Sequence, residues 1–154
     1  MSPVERPAVL VVDDNEATCT LITAILQHDF RVEIATDGMD AIEKIKTTHY
    51  AAILLDLRMP HYDGFSVLEF LKANRANVLR TVLVVTAVIL SRETDRAKSY
   101  GICGVITKPF EVDTLLEAVK RCAGDVDNGI RATGVFAAAP TLLLIADLLS
   151  RRIC

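Results

Sequence analysis

Two hydrophobic rhythms alternate along this chain. Unbroken apolar runs occupy Ala8–Val12, Ala51–Leu55 and Thr81–Val85, each rich in β-branched or aliphatic residues. Such runs suit strands covered on both faces, since side chains on neither side meet water. Arg31–Ala35 alternates and reads as a further strand, and Gly104–Ile106 as a short fifth. Between the runs the apolar period lengthens. Leu21, Ile22, Ile25 and Leu26 stripe a helix over Glu16–His28. Ala41, Ile42 and Ile45 mark a second helix, Leu68 and Leu71 a third over Phe65–Ala73, and Val112, Leu115, Leu116 and Val119 a fifth ending near Ala123. The fourth, from a capping Ser91 to Tyr100, is polar, with only Ala97 and Tyr100 to pack, so it should sit weakly on the sheet. Asp37-Gly38 and Asp63-Gly64 read as turns.

Five strand–helix repeats with short connections predict an α/β fold. Its doubly wound parallel sheet would carry helices on both faces, joined by right-handed crossovers. In such a sheet, functional groups collect at the carboxyl ends of the strands. The first strand ends at Asp13 and Asp14, the third at Asp56, the fourth at Thr86, and the fifth at Thr107-Lys108-Pro109. Asp13-Asp14 could also simply cap the following helix.

A carboxylate at the end of a buried strand is costly without a partner. Three carboxylates about 4 Å apart repel by roughly 4 kcal/mol per pair at an effective dielectric near 20. One lysine cannot neutralise them. Raised pKa values or a bound divalent cation would make up the shortfall. Oxygen ligands alone favour Mg²⁺ or a similar hard ion over zinc. A carboxylate can also be a nucleophile that forms an acyl phosphate, with a hydroxyl and an ammonium holding the phosphoryl oxygens.

Composition narrows the field. The 154 residues are 51% hydrophobic, enough for a core, and the net charge of −3 speaks against nucleic acid as a partner. The amino end carries no basic-then-apolar leader, and no apolar run reaches the roughly 18 residues of a membrane span. No membrane contact and a cytoplasmic location are therefore expected. Cys19, Cys103, Cys122 and Cys154 lack metal-like spacing and read as reduced thiols. His28, His49 and His61 are dispersed, which makes no ligand set.

With "VVDD" at 11–14, "DLRMPHYDG" at 56–64, "TA" at 86–87 and "KPF" at 108–110, the chain resembles the receiver domains of two-component response regulators over about residues 7–123. The resemblance implies a flavodoxin-like sheet of order 2-1-3-4-5. It implies that Asp56 accepts a phosphoryl group from a histidine kinase or histidine phosphotransfer protein. Mg²⁺ would be held by Asp14, by Asp13 through water, by Asp56 and by the backbone carbonyl of Arg58. Lys108 would pair with Asp56 and Thr86 would be the switch hydroxyl. Lys108-Pro109 would be cis.

The chain departs from the family at Val105, where many receivers carry an aromatic residue three positions before the lysine. Arg58 and Val88, each two positions past a site residue, occupy places that tune phosphoryl lifetime in the family. Val88-Ile89-Leu90 makes an apolar loop that could dock a protein or fold inward. Such a domain would be a switch rather than an enzyme, catalysing only its own phosphorylation and dephosphorylation. The alternative is a receiver-fold binding module not controlled by phosphorylation. A Mg²⁺-dependent aspartyl phosphatase of the haloacid dehalogenase type wants a second Asp where Arg58 stands.

The expected organisation is a receiver domain over 1–124 and, over 125–154, a linker and an apolar helix. Pro140 would lie in its first turn, followed by Leu142, Leu143, Leu144, Ile145, Leu148 and Leu149. Burying those six side chains contributes roughly 9–18 kcal/mol before entropy. The helix is therefore expected to be covered, foremost by a second copy of the chain in a homodimer, with docking on the chain's own receiver domain or on another protein as the alternatives. With no room for a DNA-binding output domain after residue 124, signalling to a downstream protein target is the expected output.

Overall fold

The computed structural model describes residues 5–124. The expected helix at 140–149 and its dimer lie outside them. The strands are β1 (Ala8–Val12), β2 (Arg31–Ala35), β3 (Ala52–Leu55), β4 (Val82–Thr86) and β5 (Gly104–Thr107). The helices are α1 (Glu16–Leu26), α2 (Gly38–Thr47), α3 (Gly64–Asn74), α4 (Ser91–Lys98) and α5 (Val112–Cys122). A 3-10 turn at Ala76–Thr81, which periodicity did not reveal, leads into β4.

All strand pairs are parallel, in the expected order β2-β1-β3-β4-β5. Alternation explains the unbroken apolar runs. Leu10, Val12, Ile53, Leu55, Val82 and Val84 point to one face and meet α2 and α3. Val9, Val11, Ala52, Leu54, Leu83 and Val85 point to the other and meet α1 and α5. Register then aligns the strand tips. Val12 pairs with Leu55, Leu55 with Val84, and Thr86 with Thr107. The residues just past those tips must therefore converge.

Helix boundaries follow caps that a turn reading hides. Asp37 and Asp63 are not merely turn residues. Each is an N-cap whose side chain accepts an N–H three residues on, from Asp40 and Ser66. Asn15, not the Asp pair, caps α1 by accepting from the Thr18 N–H. Ser91 does not cap α4; Leu90 holds that position and offers no side-chain bond. Within α4 only Ala97 is buried, which matches the weak packing expected of it. Leu21 and Val112 face solvent despite their apparent stripes; Cys19, Ala118 and Cys122 take core positions instead.

The cysteines need a correction. Cys103 and Cys122 form a disulfide with a Cα–Cα separation of 5.8 Å, while Cys19 is free and buried. Nineteen residues separate the pair in sequence. The chain turns back after β5, and α5 runs antiparallel to it, so the end of that helix returns beside the start of β5, which spacing alone does not reveal. Closing a loop of this length removes about 3 kcal/mol of unfolded-state entropy in the chain-entropy view. Reductant should therefore lower the Tm of the chain by on the order of 10 °C. Melts with and without reductant would show this, and a Cys103→Ser variant should melt low and ignore the reductant.

Candidate functional site

Among the described residues, three buried side chains are polar: Asp13, Asp56 and Thr86. All three stand at the carboxyl edge of the sheet. The Asp56 N–H donates to the Val12 carbonyl (3.0 Å) and the Asp13 N–H to that of Ala35 (3.0 Å), so the ladder itself fixes where both carboxylates start. Asp56 Oδ1 accepts from Thr86 Oγ1 (3.0 Å) and from the Arg58 N–H (3.2 Å). Thr86 Oγ1 in turn accepts from the Val88 N–H at 3.3 Å. The threonine hydroxyl thus already points inward at Asp56.

Lys108 comes from the loop after β5. Its N–H donates to the Thr86 carbonyl at 2.9 Å, and its peptide bond to Pro109 is cis, as expected. The ammonium lies 2.6 Å from Asp13 Oδ2 and 3.4 Å from Asp56 Oδ2. Asp13 is therefore its nearer partner. The resemblance had paired it with Asp56.

Asp13, Asp14 and Asp56 each place a carboxylate oxygen within 4.8 Å of the others. Asp14 is exposed, and its carboxylate accepts no hydrogen bond from the described residues. Asp13 Oδ1 accepts the Asn15 N–H at 2.9 Å. One ammonium faces three acids. The electrostatics register this imbalance. Burial pushes the Asp56 carboxyl above its ordinary range, and the Asp13 charge adds to the rise, against the Arg58 N–H, Lys108 and Thr86. Burial alone would lower the Lys108 ammonium. The hydrogen bond to Asp13 and the Asp56 charge win, and its pKa is raised. A hard oxygen set with surplus negative charge and one acid open to water fits a hard divalent cation.

Two glycines let the helices after β2 and β3 approach the loop that follows Asp56. A Cβ on Gly64 would stand 2.4 Å from the Asp56 carbonyl oxygen and 2.8 Å from Leu57 Cα. One on Gly38 would stand 2.6 Å from the Tyr62 carbonyl oxygen, which accepts the Gly38 N–H. Around the rim, Val88 is folded into the core, as the inward arrangement expected, while Ile89 and Leu90 are exposed. Val105 packs on the α2–α3 side of the sheet, partly buried.

Comparison with known proteins decides the family. Residues 9–120 match the response regulator receiver domain family. The chain belongs to that family. This receiver domain is 33% identical over 113 residues to the transcriptional regulatory protein DltR of Streptococcus agalactiae, covering 73% of this chain and 50% of that protein. It is 31% identical over 112 residues to the transcriptional regulatory protein ZraR of Klebsiella oxytoca, covering 72% and 25%. The chain thus spans half or less of the length of these relatives. Among solved structures, the receiver domain of Francisella response regulator 1452 superposes with a TM-score of 0.71 at 28% identity, covering 79% of this chain and 99% of that one. The receiver domain of sensor histidine kinase PA1611 from Pseudomonas aeruginosa, solved with magnesium in its active-site cleft, gives 0.69 at 30% identity, covering 77% and 98%. Like these relatives, this receiver domain is a two-component signal transduction module. Among its described residues no helix is long and apolar enough to cross a membrane.

Sequence reasoning named Asp13, Asp14, Asp56, Thr86, Lys108 and Arg58, and the fold brings all six elements of that set to one edge of the sheet. It missed the Arg58 side chain's partner, Glu93 on α4, because nothing local relates residues 35 apart.

Proposed function

We propose that this receiver domain is a phosphorylation-controlled switch whose acceptor is Asp56. The observation that carries the reading is the state of that carboxylate: buried at a strand tip, with one oxygen occupied and the other facing an ammonium. Oδ1 is held by Thr86 and the Arg58 N–H, which leaves Oδ2 as the freer nucleophile. Attack by Oδ2 on the phosphorus of a phosphohistidine forms the O–P bond and breaks the P–N bond. The departing imidazole takes the electron pair and then a proton. Lys108, 3.4 Å from Oδ2, would hold a phosphoryl oxygen there. Thr86 would leave Oδ1 to donate to another.

Asp14, Asp13, Asp56 and the Arg58 carbonyl are the residues that would hold Mg²⁺. When bound, the ion supplies positive charge against the phosphoryl oxygens and the crowded acids. The magnesium in the cleft of the PA1611 receiver supports that assignment. The partners implied are a histidine kinase or histidine phosphotransfer protein upstream and a protein target downstream.

Acetyl phosphate with Mg²⁺ should add one phosphoryl group to the chain, seen by intact mass and mapped to the peptide bearing Asp56. Asp14→Ala should weaken Mg²⁺ binding by at least about tenfold and slow that reaction correspondingly. A wild-type chain that never gains the mass would instead favour a binding module not controlled by phosphorylation.

A further inference from the structure

One ion pair at the rim of the site has no part in the chemistry above. Arg58 follows Asp56 by two residues, and its backbone N–H is bonded to that carboxylate. Its guanidinium turns away. Nη2 donates to both oxygens of Glu93, at 2.7 and 3.0 Å. Glu93 lies in the first turn of α4. Its side chain is 20% exposed, while that of Arg58 is 65% exposed. The arginine head is therefore open to solvent, while the glutamate is largely enclosed.

α4 has few other attachments. Ala97 is its one buried residue, and the Arg96 guanidinium lies 3.9 Å from the centre of the Phe65 ring. The Arg58–Glu93 pair joins this loosely packed helix to the loop that carries the acceptor.

We infer that Arg58 is shared between two anions, and that Glu93 is the positioning residue that keeps it off Asp56 until a phosphoryl group arrives. The inference rests on the reading of Asp56 as phosphoryl acceptor. Two residues of backbone cannot separate Arg58 from Asp56 by more than about 7 Å, well within the reach of its side chain. A phosphoryl group carries nearly two negative charges and three acceptor oxygens, against one charge on Glu93, and the guanidinium fork suits it. An exposed ion pair biases an equilibrium by no more than about fivefold, so the phosphoryl group can win. The contest runs in both directions: taking Arg58 from Glu93 loosens α4, and holding α4 in place weakens the hold on the phosphoryl group.

Beryllofluoride with Mg²⁺, a phosphoryl mimic, tests this by calorimetry on the full chain. Glu93→Gln should free Arg58 and tighten beryllofluoride binding by up to about fivefold. Arg58→Ala should weaken it. In the Arg58→Ala background, Glu93→Gln should have no further effect, whereas a purely structural role for Glu93 in α4 would persist there. Additive effects, or weaker binding in Glu93→Gln, would overturn the inference and leave the acceptor role of Asp56 intact. A wild-type chain that binds no beryllofluoride and takes no phosphoryl group from acetyl phosphate would overturn both.

Discussion

Asp56→Asn is expected to abolish phosphoryl acceptance and, at neutral pH, to raise the Tm of the chain. The first effect follows from chemistry. A carboxamide lacks the nucleophilic oxygen, and among the described residues the other carboxylates at this edge are less suited. Asp13 is held by Lys108 and the Asn15 N–H, and Asp14 lies open to water. The second effect follows from burial. The folded-state pKa of Asp56 is raised, first by desolvation and then by Asp13. Between its unfolded and folded pKa values the folded chain binds the extra proton, so stability falls as pH rises through that window. Above it the ionised group is a standing cost, which asparagine does not carry. Asparagine can keep the Thr86 and Arg58 hydrogen bonds through its carbonyl oxygen, and Lys108 keeps Asp13. Intact mass after acetyl phosphate treatment and melts at pH 7 and near pH 4 would check both claims. The stability gap between variant and wild type should shrink toward the acid end. A variant that is phosphorylated like wild type would remove Asp56 from its role. One that melts lower at pH 7 would contradict the electrostatic account.

Gly64→Ala is expected to damage both fold and function, although alanine is the better helix former. The added methyl would press on the Asp56 carbonyl oxygen at 2.4 Å and on Leu57 Cα at 2.8 Å. Both are backbone, so no rotamer change relieves the clash. Either α3 moves off the sheet or the tip of β3 moves with Asp56 on it. Overpacking of this kind costs about 1–3 kcal/mol. A displacement of order 1 Å at the reacting group slows reaction by about a hundredfold. Gly104→Ala is the matched control. Its Cβ would meet nothing nearer than Leu83 Cδ1 at 3.7 Å, ordinary contact, so stability and phosphorylation rate should stay near wild type. Denaturant unfolding and acetyl phosphate kinetics on both variants separate the cases. Equal behaviour of the two would show that the close approach at Gly64 is dispensable.

The amino-acid sequence by itself determined the layers and which polar residues gather at the candidate site. Runs such as Leu10–Val12 and Val82–Val85 are apolar on both pleats, which only a sheet sandwiched between helices can accommodate. Parallel order then carries every strand's carboxyl end to one edge. Asp13, Asp14, Asp56, Thr86 and Lys108 were legible as a group for that reason. Each is local to a strand end, and the topology does the rest. Helix faces were less legible. Leu21 and Val112 fit an apolar stripe yet face water, because a neighbouring helix or strand, not the period, defines which part of a stripe is covered. Asp37 and Asp63 were read as turn residues because capping and turning use the same side-chain chemistry. Only the backbone path distinguishes them.

Tertiary structure alone decided the remainder. Lys108 lies nearer to Asp13 than to Asp56 through the exact offset of β1 and β5 loops. The carboxylate of Glu93 meets Arg58 across 35 residues of chain. Cys103 and Cys122 meet because α5 folds back along β5, which no spacing rule encodes. Gly64 is required by a carbonyl oxygen eight residues earlier, not by its own conformation. In each case the partner is fixed by how elements dock, a sum of many weak contacts over the whole core. A single chain read in order carries the residue types but not those separations.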